Sequence, residues 1–74
     1  MNVKTLVRQN ALQMLELALE EKARTRAADF ARRWQRGEQW PPIRAHESGH
    51  IVDGQHRLLA AVMLNQQTIA VDLI

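Results

Sequence analysis

The chain of 74 residues contains no cysteine. This absence excludes disulfide bonds, thiolate metal sites and cysteine nucleophiles. No apolar run approaches the roughly 18–20 residues that span a bilayer, and the segment before Arg8 lacks the apolar stretch of a signal peptide. We therefore expect a soluble, cytoplasmic protein whose stability comes from a packed core, helped by a partner subunit or a bound ligand.

Glycine and proline are scarce as well, and neither occurs between Asn10 and Arg36. A single helix over this segment would be about 40 Å long, which is too long for a domain of this size. The polar stretch 20–26 therefore predicts a break, with Thr25 as the N-cap of a second helix. Apolar residues recur at the helical period of three or four on both sides of the break: Leu12, Leu15, Leu19, Ala23, Ala27, Phe30 and Trp34.

The sequence thus predicts two helices over about residues 10–22 and 26–36, begun by Asn10 and ended by Gly37. Residues 3–7 are predicted to form a short first strand, with side chains that alternate between its two sides. Strands are predicted over 43–46 and 50–52 around a turn at 47–49, then a helix over 57–64 and a last strand over 68–74. Residues 1–74 are expected to form one α+β domain, with two N-terminal helices and a small mixed sheet covered on one side.

Charge is unevenly distributed along the chain. Residues 1–37 hold eight Lys and Arg against four Asp and Glu, whereas residues 38–74 hold two against four, for a total of +2. A basic half suggests an anionic partner, although a row of cations on a helix is also typical of a solvated face. The candidates for contact with a nucleic-acid backbone are Lys22, Arg24, Arg26, Arg33, Arg36 and Arg44.

The segment from Gly49 to Val62 has the pattern of a strand, a glycine turn and the start of a helix. The first N–H groups of a helix lack internal partners and carry partial positive charge, which suits an anion. The residues predicted to bind phosphate are Gly54, Gln55, His56 and Arg57. Asp53 could instead cap the helix, and Arg57 could pair with Asp53 or Glu47 in a domain that binds nothing at this loop.

The segment IVDGQHRLLAAV resembles the signature of the ParB/sulfiredoxin-like superfamily, in the DGQHR form found in ParB-like proteins of phages and other mobile elements. The resemblance extends over about residues 26–74. It implies a phosphate-binding strand–loop–helix unit and a nucleoside triphosphate with Mg²⁺ as the ligand. For relatives described as nucleases, Asp53 and His56 would be the candidates for metal or acid–base roles. Sulfiredoxin chemistry is excluded because that family's loop cysteine corresponds here to Gln55.

The resemblance has limits. ParB partition proteins have a proline–arginine box and a helix-turn-helix domain, and this sequence shows neither. We therefore expect a binding module, with a nucleotide hydrolase or nuclease as the alternative, rather than a partition protein, and either a minimal form or a fragment. The competing hypothesis is a mobile-element protein that uses the fold as a scaffold to bind and regulate a host or partner protein, without catalysis.

Other clusters are weaker signals. His46, His50 and His56 lack the ligand spacing of any strong metal motif, so no metal site is predicted. Trp34 and Trp40 could stack on bases, but a core role is favoured. Met14, Leu17 and Ala18 lie off the apolar stripe and would either widen it or form a homodimer surface.

Overall fold

A computed structural model describes all residues 1–74. Three helices come first in the chain, α1 (Val3–Gln9), α2 (Ala11–Leu19) and α3 (Glu21–Gln35). Strands β1 (Ile43–Ala45) and β2 (Ile51–Asp53) follow, then α4 (Gln55–Met63) and β3 (Val71–Leu73). The α+β class is confirmed, with four helices and one three-stranded mixed sheet.

The strand predicted over residues 3–7 is wrong, because this segment is the helix α1. The side chain of Asn2 accepts a hydrogen bond from the N–H of Thr5 and begins the helix. Val3 and Leu6 then lie three residues apart on the buried face of the helix. Extended pairing at this end centres on Asn2, which bridges Thr68, with flanking backbone hydrogen bonds from Met1 and Val3.

The break between the two long helices lies at Glu20, the first residue of the predicted stretch 20–26, and Thr25 is not an N-cap because it lies inside α3. Glu20 is extended (φ −93°, ψ 123°), and the guanidinium of Arg24 donates to the carbonyl of Ala18 across the bend. One extended residue is enough to reorient the chain, so α3 begins about five residues earlier than predicted. At its far end the prediction is confirmed: Gly37 (φ +95°) donates to Trp34 and Glu38 donates to Arg33, which is a Schellman closure.

The apolar stripe predicted for the first long helix is also wrong. Leu12, Leu15 and Leu19 are 78%, 58% and 73% exposed, whereas Met14 is buried. The stripe of α3 is buried at Ala23 and Ala27. The predicted stripe continued the same helical phase across the break, whereas the bend at Glu20 turns a different side of α2 towards the core.

The sheet has the order β2-β1-β3, with β1 antiparallel to β2 and parallel to β3. Its buried face carries Ile43, Ala45 and Ile51. Helix α4 contributes four consecutive buried apolar residues to the same core, residues 58–61, and packs closely on α3. The small alanines of α3 allow this approach. None of the four helices has the length and apolar character needed to cross a membrane.

Candidate phosphate-binding site

The loop between β2 and α4 is built around Gly54. Its φ of +109° is one that side chains rarely adopt, and a Cβ at this position would lie 2.5 Å from Cγ2 of Ile43. Glycine is therefore required both by the backbone turn and by the packing of the loop on the core strand β1. As a result, α4 begins directly after β2 and its N-terminus lies at one edge of the sheet.

Arg57 is held inside the protein. Its side chain is only about 10% exposed, and Nη1 donates to the carbonyls of Pro41 (2.5 Å) and Pro42 (3.2 Å). Nη2 contacts Oδ2 of Asp53 at 3.4 Å. The guanidinium thus ties the entry of β1 to the end of β2, the structural role considered as an alternative from the sequence, with Asp53 rather than Glu47 as its partner. Its use as a phosphate fork stays a prediction.

The N–H groups at the start of α4 are open. No side chain caps this helix, and the N–H groups of Gln55, His56 and Arg57 make no hydrogen bond within the chain. Asp53, which could have capped them, accepts only from Arg57. Three neighbouring N–H donors therefore point out of the helix end, which is the arrangement that binds oxyanions.

His56 lies half-buried in the first turn of α4, and its imidazole makes no hydrogen bond in the structure. Its pKa is lowered from the ordinary value of 6.5 by desolvation first and then by the positive charge of Arg26, while Glu20 acts in the opposite direction. Arg26 of α3 and His56 of α4 are thus neighbours, although they are 30 residues apart in sequence. Near neutral pH the imidazole is uncharged, and the positive charge that acts on it comes from Arg26.

The six predicted backbone-contacting cations differ in their surroundings. All are exposed, and Arg26 is the one that acts on the pKa of His56. Arg24 is used in the bend before α3. Arg33 pairs with Asp29 at 3.0 Å and lies over the ring of Phe30. Beside Arg26, a shallow groove of about 590 Å³ runs along α3, lined only by polar and charged residues that include Lys22.

The histidines and tryptophans considered from the sequence lie in different surroundings. His46 and His50 are exposed on either side of the β1–β2 turn, and no group of three or more His, Asp or Glu side chains is arranged to hold a metal ion. Trp40 packs against the core and donates from Nε1 to the carbonyl of Phe30 at 3.0 Å. Trp34 is 40% exposed and lies 4.7 Å from Trp40, centroid to centroid.

Sequence reasoning missed two contributors to the site. The carbonyls of Pro41 and Pro42 hold Arg57, and Glu20 lies close enough to act on His56. Neither has a local sequence signal, because each contact joins segments that only the fold brings together.

Comparison of the chain with protein-family models, with curated proteins and with solved structures gives no match in any of the three.

Proposed function

We propose that the chain is a ParB-like module that binds the phosphate of a nucleotide or nucleic acid at the N-terminus of α4. The observation that carries this proposal is the set of three unpaired N–H groups at Gln55, His56 and Arg57. Each can donate to one phosphate oxygen without any rearrangement of the helix, and the helix dipole favours the negative charge.

Charge near the loop supports the same ligand. Arg26 supplies a permanent positive charge next to His56. A bound phosphate would favour the imidazolium form, so binding takes up a proton and His56 becomes a second cationic donor. A nucleoside triphosphate with Mg²⁺ is the ligand class that the sequence resemblance implies. The exposed cations of α3, among them Lys22 and Arg36, would then contact the backbone of a longer nucleic acid.

Binding, rather than hydrolysis, is the activity proposed. The carboxylate of Asp53 is engaged by Arg57, and no side chain orients His56 as a general base requires. These two candidates for catalysis therefore remain a prediction from the sequence resemblance.

The test is calorimetric titration with nucleoside triphosphates and with pyrophosphate, each with and without Mg²⁺. Arg26→Gln should weaken binding by about tenfold or more, as expected for one charge-assisted contact. Arg8→Gln removes the same charge at the opposite end of α4 and should leave affinity unchanged. Affinity should also fall as the salt concentration rises. Equal affinities for both variants, or no binding by the wild type, would contradict the proposal.

The second candidate function is the scaffold that binds a host or partner protein. The exposed leucines at positions 12, 15 and 19 of α2 favour it, because contiguous exposed apolar residues mark interaction surfaces. Met14, the position considered for such contacts from the sequence, is buried. Should Leu15→Glu abolish capture of a partner while Arg26→Gln has no effect on any binding, the scaffold function would replace phosphate binding.

A further inference from the structure

Helix α2 carries an apolar face that no part of the chain covers. We define the leucine face as Leu12, Leu15 and Leu19, at spacings of three and four residues along one side of the helix. Such spacing is typical of a helix whose apolar side chains insert into a groove of another protein surface. The opposite side of α2 packs inward through Met14 and Leu17, so the helix is held in place without the leucine face.

One carboxylate borders this face. Glu16 is exposed, follows Leu15 directly and precedes Leu19 by three residues, and it forms no ion pair in the chain. Any surface that covers the leucine face would remove this carboxylate from water, which is unfavourable unless a cation meets it. The occupant must therefore combine apolar side chains with positive charge.

The same chain offers such a surface elsewhere. We define the α1/α4 groove as the cleft of about 440 Å³ between α1 and the C-terminal end of α4. Its apolar side chains are Val3, Val7 and Val62, and its cations are Lys4 and Arg8. Both cations are exposed and neither forms an ion pair within the chain. Helix α1 contains no acidic residue and α2 no basic one, so the two surfaces are opposite in charge.

We propose that the chain forms a two-fold dimer in which the leucine face of each copy packs into the α1/α4 groove of the other. Glu16 then meets Arg8 and Lys4 of the second copy. A two-fold axis repeats the contact between the leucine face and the α1/α4 groove, which doubles the apolar area buried. This matters because α2 is only about 13 Å long and a single helix contact falls well short of the roughly 800 Å² per partner of a standard interface. The dimer is expected to be weak, and it does not depend on phosphate binding at the other end of α4.

Sedimentation velocity over a range of protein concentrations tests the dimer through a charge exchange. Arg8→Glu and Glu16→Arg should each weaken self-association by about tenfold or more, because each places like charges across the interface. In an equimolar mixture of the two variants, both contacts of a mixed dimer again join opposite charges, so association should return. Arg36→Glu, a matched charge reversal at the end of α3, should have no effect.

Leu15→Glu should abolish the dimer while leaving the circular dichroism spectrum and the thermal midpoint of the monomer intact, since the side chain is 58% exposed. A wild-type chain that stays monomeric up to about 1 mM would overturn the proposal. The proposal would also be overturned if a mixture of Arg8→Glu and Glu16→Arg associated no better than either variant alone. This holds even if Leu15→Glu abolishes association.

Discussion

At the scale of single residues, Arg57 could serve either to bind phosphate or to hold the loop in place, and the sequence motif does not distinguish these two roles. A guanidinium has five N–H donors in a rigid fork, and all three hydrogen bonds that it makes here are internal, to the carbonyls of Pro41 and Pro42 and to Asp53. The arginine therefore positions the loop before any ligand arrives. The phosphate site then rests on the N–H groups beside it and on Arg26.

Replacement of Arg57 tests this structural role. Arg57→Ala leaves two carbonyls without their donor, and we expect the free energy of unfolding to fall by about 2–4 kcal/mol. Arg57→Lys should recover only a minor part, because an ammonium cannot reach both carbonyls and the carboxylate as a planar fork does. Urea denaturation measures both changes. If Arg57→Ala were as stable as the wild type, the internal contacts would contribute nothing.

A second prediction concerns the turn. Gly54→Ala adds a Cβ that overlaps Ile43 at a φ of +109°, so we expect a loss of about 2–5 kcal/mol from strain and overpacking. Gly37→Ala is the matched control, because its φ of +95° is also left-handed but its Cβ would meet nothing within 4 Å. That variant should lose only about 1–2 kcal/mol. Similar losses at both positions, measured by thermal unfolding, would show that packing on Ile43 is unimportant.

The third prediction is a pH dependence. The pKa of His56 lies below 6.5 in the folded chain, owing to desolvation and Arg26, and returns to the ordinary value on unfolding. The unfolded state therefore binds the proton more readily, and stability should decrease as the pH falls below about 7 towards the folded pKa. His56→Gln should show a shallower decrease over this range in denaturation curves. An equally steep decrease in the variant would exclude His56 as its source.

At the scale of elements, Asn10 joins the helical half to the sheet. It was predicted as an N-cap, and it does stand at that position before α2, but its side chain makes no capping bond. Instead it is buried and donates to the carbonyls of Leu6 and Gly49 while accepting from the N–H of Ile51. These bonds connect the α1–α2 corner to the start of β2, some 40 residues away in sequence.

Asn10→Ala should therefore cost more than the loss of a helix cap. Three buried backbone groups would lose a partner, and we expect destabilisation of about 2–4 kcal/mol. Asn2→Ala provides the comparison, because Asn2 makes an ordinary cap at the start of α1 and should lose only about 1 kcal/mol. Chemical denaturation of both variants measures the difference. A smaller loss at Asn10 than at Asn2 would contradict the bridging role.

The elements that could be predicted are those with local signals. The Schellman closure at Gly37, the strand–turn–strand over β1 and β2, and the end of α4 at Asn65 (φ 57°) all follow from residues adjacent to each feature. The prediction of a strand over residues 3–7 is wrong because five residues of mixed apolar character fit both the two-residue period of a strand and the 3.6-residue period of a helix. The predicted buried face of α2 is wrong because the bend at one residue, Glu20, changes which side of α2 faces the core relative to α3.

At the scale of the whole molecule, the location of the candidate site was predictable and its composition was not. Strand, Gly54 and helix are contiguous, so the sequence alone places the open helix end. The neighbours that set its chemistry, Arg26 and Glu20 beside His56 and the two prolines on Arg57, come from other elements. Only the packing of α3 on α4 and of β1 beside β2 brings them there.

The most direct test of the central claim is an NMR titration of the ¹⁵N-labelled chain with pyrophosphate and then with nucleoside triphosphates. We expect the amide resonances of Gln55, His56 and Arg57 to shift most and to saturate together, since their N–H groups would donate to the phosphate oxygens. Unchanged resonances at these three amides in the presence of excess ligand, or shifts confined to other parts of the chain, would contradict phosphate binding at the start of α4.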